Sequence, residues 1–214
     1  GYQFMIQLQD IHKSYNQQEV VSIPSFTFEK QIYWLKGING SGKTTLLKII
    51  AGLLPFEGDV VIEGKISLKK NRTEYLRLVN YVEAEPLYPS FLTGLDLLQF
   101  YRRTKGGNKE QSDRLIELLQ VSSFIGNPVG TYSSGMLKKI SLLLAFTGQP
   151  CFILLDEPLV TIDDKTVPVV NSIIRDYHEK QGIIFLLTSH QLFETDAFHI
   201  THQLKMNHQT IHPL

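Results

Sequence analysis

A glycine-rich loop carrying a lysine and two threonines is the segment of this chain best suited to chemistry. Residues 35–45 read Leu-Lys-Gly-Ile-Asn-Gly-Ser-Gly-Lys-Thr-Thr and fit the spacing G-x-x-x-x-G-K-S/T. Glycines allow positive φ, so backbone N–H groups can converge on phosphate oxygens without a Cβ in the way. The alternative is an ordinary glycine-rich turn beside a surface lysine. We predict a nucleoside triphosphate site made of Gly37, Ile38, Asn39, Gly40, Ser41, Gly42, Lys43, Thr44 and Thr45.

Within this loop, two side chains have distinct predicted tasks. Lys43 would place a point charge on the outer phosphates, and Thr44 would offer its hydroxyl to Mg²⁺. The segments on either side must position them. Residues 31–36 are rich in β-branched and aromatic side chains and predict a strand, whereas residues 44–53 have apolar side chains at helical spacing. Strand, loop and helix in this order are the context that a phosphate loop needs.

Two carboxylates follow a second apolar segment. Residues 151–158 read Cys-Phe-Ile-Leu-Leu-Asp-Glu-Pro, as expected of a strand buried on both faces that ends in charge. Taken alone, this is also the pattern of a strand followed by a solvated acidic turn. Beside a phosphate loop, Asp156 is placed to hold Mg²⁺ and Glu157 to polarise the water that attacks the γ-phosphate.

Two further segments are weak signals by themselves. Residues 131–136 read Thr-Tyr-Ser-Ser-Gly-Met and precede a predicted helix over 137–147, on which we expect Lys138 and Lys139 to be exposed. Serines before a helix usually serve as an N-cap. Residues 183–188 predict another short strand, followed by Ser189 and His190, and a histidine in such a place is commonly a surface residue.

The order of these four segments resembles that of the nucleotide-binding subunit of an ABC transporter, over about residues 4–211. The resemblance implies an α/β P-loop NTPase fold of the ABC ATPase type. Such a fold has a mixed sheet core, an N-terminal antiparallel β subdomain and an inserted helical subdomain. We expect one domain over 1–214, with the core in about 1–85 and 149–214 and the helical arm in about 86–148.

The resemblance also implies roles for individual residues. Ser133 and Gly135 would complete the ATP site of a second subunit in a head-to-tail dimer, and His190 would reach the γ-phosphate and the attacking water. Asp163 matches the aspartate that closes a loop between the two ATP sites. Tyr15 matches the aromatic residue that stacks on adenine, although a tyrosine at a strand end is otherwise ordinary. Glu157, His190 and Lys43 are the expected catalytic residues.

The chain departs from the family pattern just after residues 79–82, before the helical arm begins. Ala84 occupies the position of a glutamine that binds Mg²⁺ and senses the membrane partner. Alanine cannot bind a metal, so either Glu83 or Glu85 substitutes, or Mg²⁺ keeps an extra water. At three further positions the chain has Ser134, Met136 and Leu159, where the family usually has glycine, glutamine and threonine. These replacements bear on the rate of hydrolysis more than on ATP binding.

Composition limits the partners. Lys and Arg total 21, and Asp and Glu total 21, so no charge excess suggests a nucleic-acid partner. No apolar stretch approaches the ~20 residues that cross a bilayer, and no secretory signal is evident at the start. With one cysteine, Cys151, no internal disulfide is possible, which suits the cytoplasm. Four histidines near the end, His199, His202, His208 and His212, are more simply surface residues than a metal site.

The resemblance implies an ATPase with ATP and Mg²⁺ as cofactors that drives a separate integral membrane permease, with exporters the most similar subclass. It would work as a dimer with a second copy or a related ATPase subunit, in the cytoplasm at the inner face of the membrane. Three alternatives stay open. They are an ABC-type ATPase that assembles or remodels proteins, a P-loop small-molecule kinase, and a scaffold that binds ATP but scarcely hydrolyses it.

Overall fold

Two β-sheets and six α-helices make up the part of the chain that the structure, a computed structural model, describes: residues 5–189 and 198–214. The strands are β1 (Ile6–Tyr15), β2 (Gln18–Phe28), β3 (Ile32–Lys36), β4 (Glu57–Ile62), β5 (Ile66–Ser67), β6 (Val79–Val82), β7 (Phe152–Asp156), β8 (Ile184–Thr188), β9 (His202–Asn207) and β10 (Thr210–Pro213). The helices are α1 (Lys43–Ile50), α2 (Arg72–Leu78), α3 (Gly94–Lys105), α4 (Lys109–Leu119), α5 (Ser134–Ala145) and α6 (Thr166–Gln181).

The N-terminal sheet is antiparallel, in the order β2-β1-β4-β5. A tight turn joins β1 to β2, in which Asn16 and Gln17 both have positive φ, of 49° and 65°. Such a turn matches the right-handed twist of the strands that it joins. It ends β1 at Tyr15, so the turn places this side chain at the tip of the hairpin.

The central sheet has the order β10-β9-β3-β8-β7-β6, and every pair except β10 with β9 is parallel. Strands β7 and β8 are buried at all five positions, as expected for parallel strands that are covered on both faces. Parallel strands end at the same sheet edge. The phosphate loop after β3, the carboxylates at the end of β7 and the segment after β8 therefore start from one edge.

Alternating side chains of the central sheet enter two hydrophobic cores. One face, including Tyr33, Leu154 and Leu186, packs with α1 and the antiparallel sheet. The other face, including Trp34, Leu155 and Leu187, packs with α3, α4, α5 and α6. The sheet is thus held between two apolar layers, and its edge residues are fixed in position by the packing of both.

The three helices α3, α4 and α5 lie within residues 86–148, where we predicted a helical arm. Thr93 and Asp96 form a capping box at the start of α3, and Ser133 caps α5 by accepting a hydrogen bond from the Met136 N–H at 3.2 Å. Across the described residues, no helix combines the length and apolar character needed to span a bilayer.

Candidate functional site

The phosphate loop connects β3 to α1, and its glycines have geometric reasons to be glycine. Gly42 has φ of 102° and caps α1, where a side chain would be strained. A Cβ on Gly37 would lie 2.5 Å from Ser41 Oγ, which is closer than real contacts allow. At Gly40, φ is 79° and no atom lies within 4 Å of a built Cβ. The loop is therefore tight at its base and open at its tip.

Lys43 begins α1 and is only 7% exposed. Its ammonium donates a hydrogen bond to the carbonyl of Gly37, so the side chain lies back along the loop. Burial lowers the pKa of Lys43, and the negative charges of Glu157 and Asp156 oppose that shift. The cation is thus already inside the loop and beside two carboxylates.

Asp156 ends β7, is buried, and has both carboxylate oxygens engaged. Thr44 Oγ1 donates to Asp156 Oδ2 at 2.8 Å, and Thr188 Oγ1 donates to Asp156 Oδ1 at 2.6 Å. The first contact links two residues far apart in the sequence, both predicted as Mg²⁺ ligands. Their oxygens adjoin one another at the sheet edge.

Glu157 follows directly and has φ of 49°, an unusual value for a residue other than glycine. Its N–H donates to Thr188 Oγ1 at 3.2 Å, and its carbonyl accepts from Lys138 Nζ at 3.1 Å and from the Val160 N–H at 3.3 Å. Both backbone polar groups of Glu157 are thus hydrogen-bonded, and its left-handed conformation sets the direction in which the side chain leaves the backbone.

These segments share one cavity of about 250 Å³, lined by the phosphate loop, Asp156, Glu157 and Val20 of β2. The structure therefore brings together the phosphate loop and both carboxylates. A larger hollow of about 710 Å³ lies between α4 and α6, lined by residues such as Gln111 and Asp176. It contains none of the predicted site residues, so size alone does not identify the site.

Four other predicted residues lie outside the lining of the 250 Å³ cavity, namely Ser133, Gly135, Asp163 and Tyr15. Ser133 is exposed at the start of α5, and a Cβ on Gly135 would lie 3.0 Å from the Thr161 carbonyl. Asp163 caps the turn into α6 by accepting hydrogen bonds from the Thr166 N–H and hydroxyl, which hold the pKa of its carboxyl below the usual value. Ser133 and Asp163 both face solvent in a single chain.

Tyr15 is 44% exposed at the tip of the β1–β2 hairpin, with Lys13 Nζ 5.1 Å from the centre of its ring. A cation over the ring face is favourable by roughly 0.5–1 kcal/mol at exposed sites. The ring is therefore accessible but already has one close neighbour. His190 lies outside the described residues.

Two residues of the site were not predicted from the sequence. Thr188 ends β8 beside Asp156, and a polar residue at the end of a buried strand next to a carboxylate strand would have been a usable signal. Lys138 was wrongly predicted to be exposed, since it is 1% exposed. Helical periodicity already indicated its burial, because Lys138 shares a face with the buried residues Ser141, Leu142 and Ala145.

The amine of Lys138 donates to the carbonyl of Ala84 at 2.7 Å as well as to that of Glu157. Burial lowers the pKa of Lys138 to about 8, and the carboxylates of Asp156, Glu157 and Glu85 oppose the shift. Ala84 lies in the loop that follows β6. One buried side chain thus joins this loop, the end of β7 and the first turns of α5.

Sequence comparison decides the family to which this site belongs. A profile described as ABC transporter matches residues 22–160, which include the phosphate loop, the Ser-Ser-Gly segment and both carboxylates. The chain belongs to the ABC transporter family. This ABC protein is 29% identical over 195 residues to the uncharacterized ABC transporter ATP-binding protein YhcH of Bacillus subtilis, covering 90% of this chain but 64% of that relative. It is 35% identical over 161 residues to the cytochrome c biogenesis ATP-binding export protein CcmA of Haemophilus influenzae, covering 73% of this chain and 74% of CcmA.

Solved structures confirm the predicted fold of this ABC protein. An ATP binding subunit of an ABC transporter matches with a TM-score of 0.86 at 22% identity, over 98% of this chain and 90% of that one. A dimeric ATP-binding cassette in a post-hydrolysis state with ADP and Pi matches with a TM-score of 0.78 at 18% identity, over 96% of each chain. At these identities the likeness establishes the ABC ATPase cassette fold.

Proposed function

We propose that this chain is an ATP-binding and hydrolysing subunit that powers a separate membrane permease. The observation that carries the proposal is the contact between Thr44 and Asp156 beside the phosphate loop, with Glu157 at the next position. Hydroxyl and carboxylate oxygens are ligands that Mg²⁺ prefers, and a phosphate-bound Mg²⁺ needs few protein ligands. This arrangement supports phosphoryl chemistry of a nucleotide rather than binding of a neutral ligand.

The residues present fit ATP and Mg²⁺. Ser41 Oγ is buried and makes no hydrogen bond to any residue of the described chain, so a phosphate oxygen could take that role. The open space at Gly40 leaves the loop tip accessible, and the N-terminus of α1 adds the positive end of its dipole. Bound Mg²⁺ would neutralise phosphate charge at Thr44 and Asp156.

Each residue then has a defined task. Lys43 would exchange its hydrogen bond to the Gly37 carbonyl for the outer phosphates, which the two nearby carboxylates favour by keeping it charged. Glu157 would orient and polarise the attacking water. His190 would contact the γ-phosphate from the segment after β8.

The exposure of Ser133 at the N-terminus of α5 supports a head-to-tail dimer. A hydroxyl and the N–H groups of a helix start are suited to a γ-phosphate, but in one chain they lie outside the cavity of the phosphate loop. A second copy, or a related subunit, would bring them to the bound ATP. In this dimer Asp163 would lie at the interface between the two sites, and Tyr15 would stack on adenine.

An exposed apolar surface supports a protein partner at the arm. Leu87 and Phe91, in the segment between β6 and α3, are 87% and 77% exposed, and Leu95 and Phe100 of α3 are also exposed. Several large apolar side chains exposed within one stretch of chain are a feature of protein interaction sites. We propose that this surface contacts the permease, which would hold the subunit at the inner face of the membrane.

The direction of transport is proposed to be export. The support is the similarity to CcmA, whose name describes an ATP-binding export protein. The matching solved structures, which include a putative cobalt transport ATP-binding protein at 23% identity, show the fold alone and do not bear on the direction.

The experiment that tests the proposal has two arms. First, the purified chain should release phosphate from ATP in a Mg²⁺-dependent way, and a phosphorylated small-molecule product would instead indicate a kinase. Second, the chain should be captured with its partners from detergent-solubilised native membranes and the partners identified by mass spectrometry. An integral membrane protein in stoichiometric amount supports the transporter, whereas only soluble partners would favour an ATPase that assembles or remodels proteins.

In the same capture, Phe91→Ser should lose the membrane partner while keeping phosphate release unchanged. The matched control is Leu118→Ser on α4, which is an exposed apolar residue elsewhere on the arm. If both variants retain the partner equally, the permease does not contact the surface around Phe91.

A further inference from the structure

Glu157, the proposed general base, has an unfavourable backbone conformation. Its φ of 49° lies in the left-handed region, which is unfavourable for a residue with a Cβ. Such conformations persist where surrounding contacts determine them. Here Thr188 accepts from the N–H of Glu157, and Lys138 donates to its carbonyl beside the Val160 N–H of the following turn.

Lys138 has no other evident reason to be buried. It belongs to α5, three residues after Gly135, and its amine reaches two carbonyls that end two different segments of the core. Burying a lysine is costly, and here the cost is reduced by the two carbonyls and by nearby carboxylates. A methionine would fill the same space without that cost, so packing alone does not account for a lysine.

From these contacts we infer that Lys138 is a positioning residue, which holds the backbone of Glu157 in its left-handed conformation and ties it to the loop at Ala84. This inference rests on the proposed ATPase function. The Ala84 carbonyl belongs to the loop that leads to Leu87 and Phe91 of the exposed apolar surface. Through Lys138, a displacement of that loop is transmitted to the carbonyl of Glu157 and so to the direction of its carboxylate.

Lys138 sets the direction of the Glu157 side chain and not the affinity for nucleotide. Lys138 is absent from the lining of the cavity that contains the phosphate loop. A base displaced by about 1 Å can lose on the order of a hundredfold in rate, while ground-state contacts to the phosphates remain. A change confined to turnover therefore separates positioning from a general structural role.

The test compares Lys138→Met, which removes the donors, with Lys138→Arg, which keeps them, and with Lys139→Met as the neighbouring control. We expect Lys138→Met to lower kcat by about tenfold or more with the affinity for a fluorescent ATP analogue within about twofold of the unmodified chain. Lys138→Arg should recover most of the loss, and Lys139→Met should show none. Equal kcat in both methionine variants, or a joint fall in affinity and melting temperature that arginine does not rescue, would overturn the inference.

A second readout does not depend on hydrolysis. Hydrogen exchange followed by mass spectrometry should show faster exchange around residues 83–87 and 157–160 in Lys138→Met than in Lys139→Met. If the unmodified chain releases no phosphate, the proposed function fails while this exchange result still decides whether Lys138 holds the two segments. Unchanged exchange in both segments would contradict the positioning role.

Discussion

The hydroxyl of Thr188 donates to Asp156 Oδ1 at 2.6 Å and accepts from the N–H of Glu157 at 3.2 Å. One β8 side chain thus contacts both acidic residues of the site. Neighbouring parallel strands place it there, because Thr188 and Asp156 are paired in the register of β8 with β7. The proposed Mg²⁺ ligand and the proposed base are therefore fixed relative to one another by a residue outside the lining of the phosphate-loop cavity.

Replacing Thr188 by valine should weaken both functions of this contact. Valine has the same shape without the hydroxyl, so Asp156 Oδ1 and the Glu157 N–H would lose a partner in a buried place. We expect a loss of about 1–3 kcal/mol in the free energy of unfolding, measured by urea denaturation, and a lower kcat. Thr188→Ser keeps the hydroxyl and should retain most of both. Full activity and stability in Thr188→Val would show that the hydroxyl has no such role.

Removing the ammonium of Lys43 should abolish nucleotide binding. Lys43→Ala deletes the cation inside the phosphate loop, and no other lysine of the described residues lines the cavity of this loop. Binding is measured with a fluorescent ATP analogue, and Lys48→Ala on the same helix serves as the control. Affinity in Lys43→Ala equal to that of the unmodified chain would contradict the assignment of the loop.

Replacing Glu157 by glutamine should keep ATP binding and stabilise the ATP-bound dimer, since the base is lost but the phosphate contacts remain. Light scattering with ATP and Mg²⁺ should report twice the mass of the monomer. Adding Gly135→Glu to the same chain should return it to a monomer, because the new carboxylate would repel the γ-phosphate and meet the Thr161 carbonyl. A monomer under all conditions would contradict the head-to-tail dimer.

Introducing glutamine at Ala84 should raise turnover, because an amide oxygen would become available to Mg²⁺ in the loop that Lys138 already holds through its backbone. Phosphate release is compared with that of Ala84→Met, which adds a side chain of similar length without the oxygen. If neither variant changes the rate, then another oxygen, such as that of Glu83 or Glu85, already compensates.

Lys105 provides a test of stability against pH that is remote from the site. It donates to the carbonyls of Leu76 and Val79, and burial lowers its pKa to about 8 from 10.5. Between these values the unfolded chain binds the proton and the folded chain does not. The free energy of unfolding should therefore rise with pH in this window because of Lys105, by at most about 1.4 kcal/mol per pH unit.

The measurement compares urea denaturation of the unmodified chain and of Lys105→Met at about pH 7, 9 and 10. Other titrating groups, including Lys138, contribute equally to both chains, so the difference between the two isolates Lys105. As the pH rises, the free energy of unfolding of the unmodified chain should therefore increase relative to that of Lys105→Met. Lys109→Met, which removes a lysine from an exposed pair with Asp113, should show no such trend.

Some features of this protein could be predicted from local sequence patterns, whereas others depend on contacts between distant segments. The phosphate loop, its flanking strand and helix, and the carboxylates after a buried strand could be predicted because each is a short segment whose residue types and period reflect its surroundings. The burial of β7 and β8 follows from their continuous apolar runs, and the helical arm was expected from the resemblance. The roles of five further residues were inferred from the family resemblance and stay predictions: Ser133, Gly135, Asp163, Tyr15 and His190.

The amino-acid sequence by itself determined the order of the elements, the phosphate loop and the family. Only the tertiary structure decided that Thr188 joins Asp156 to Glu157, and that Lys138 is buried between Ala84 and Glu157. These contacts span segments that are distant in the chain. They depend on strand register and on the packing of α5 over the sheet edge. A local pattern can indicate that Lys138 lies on a buried face, but the carbonyls that its amine contacts belong to distant segments and are set only by the packing.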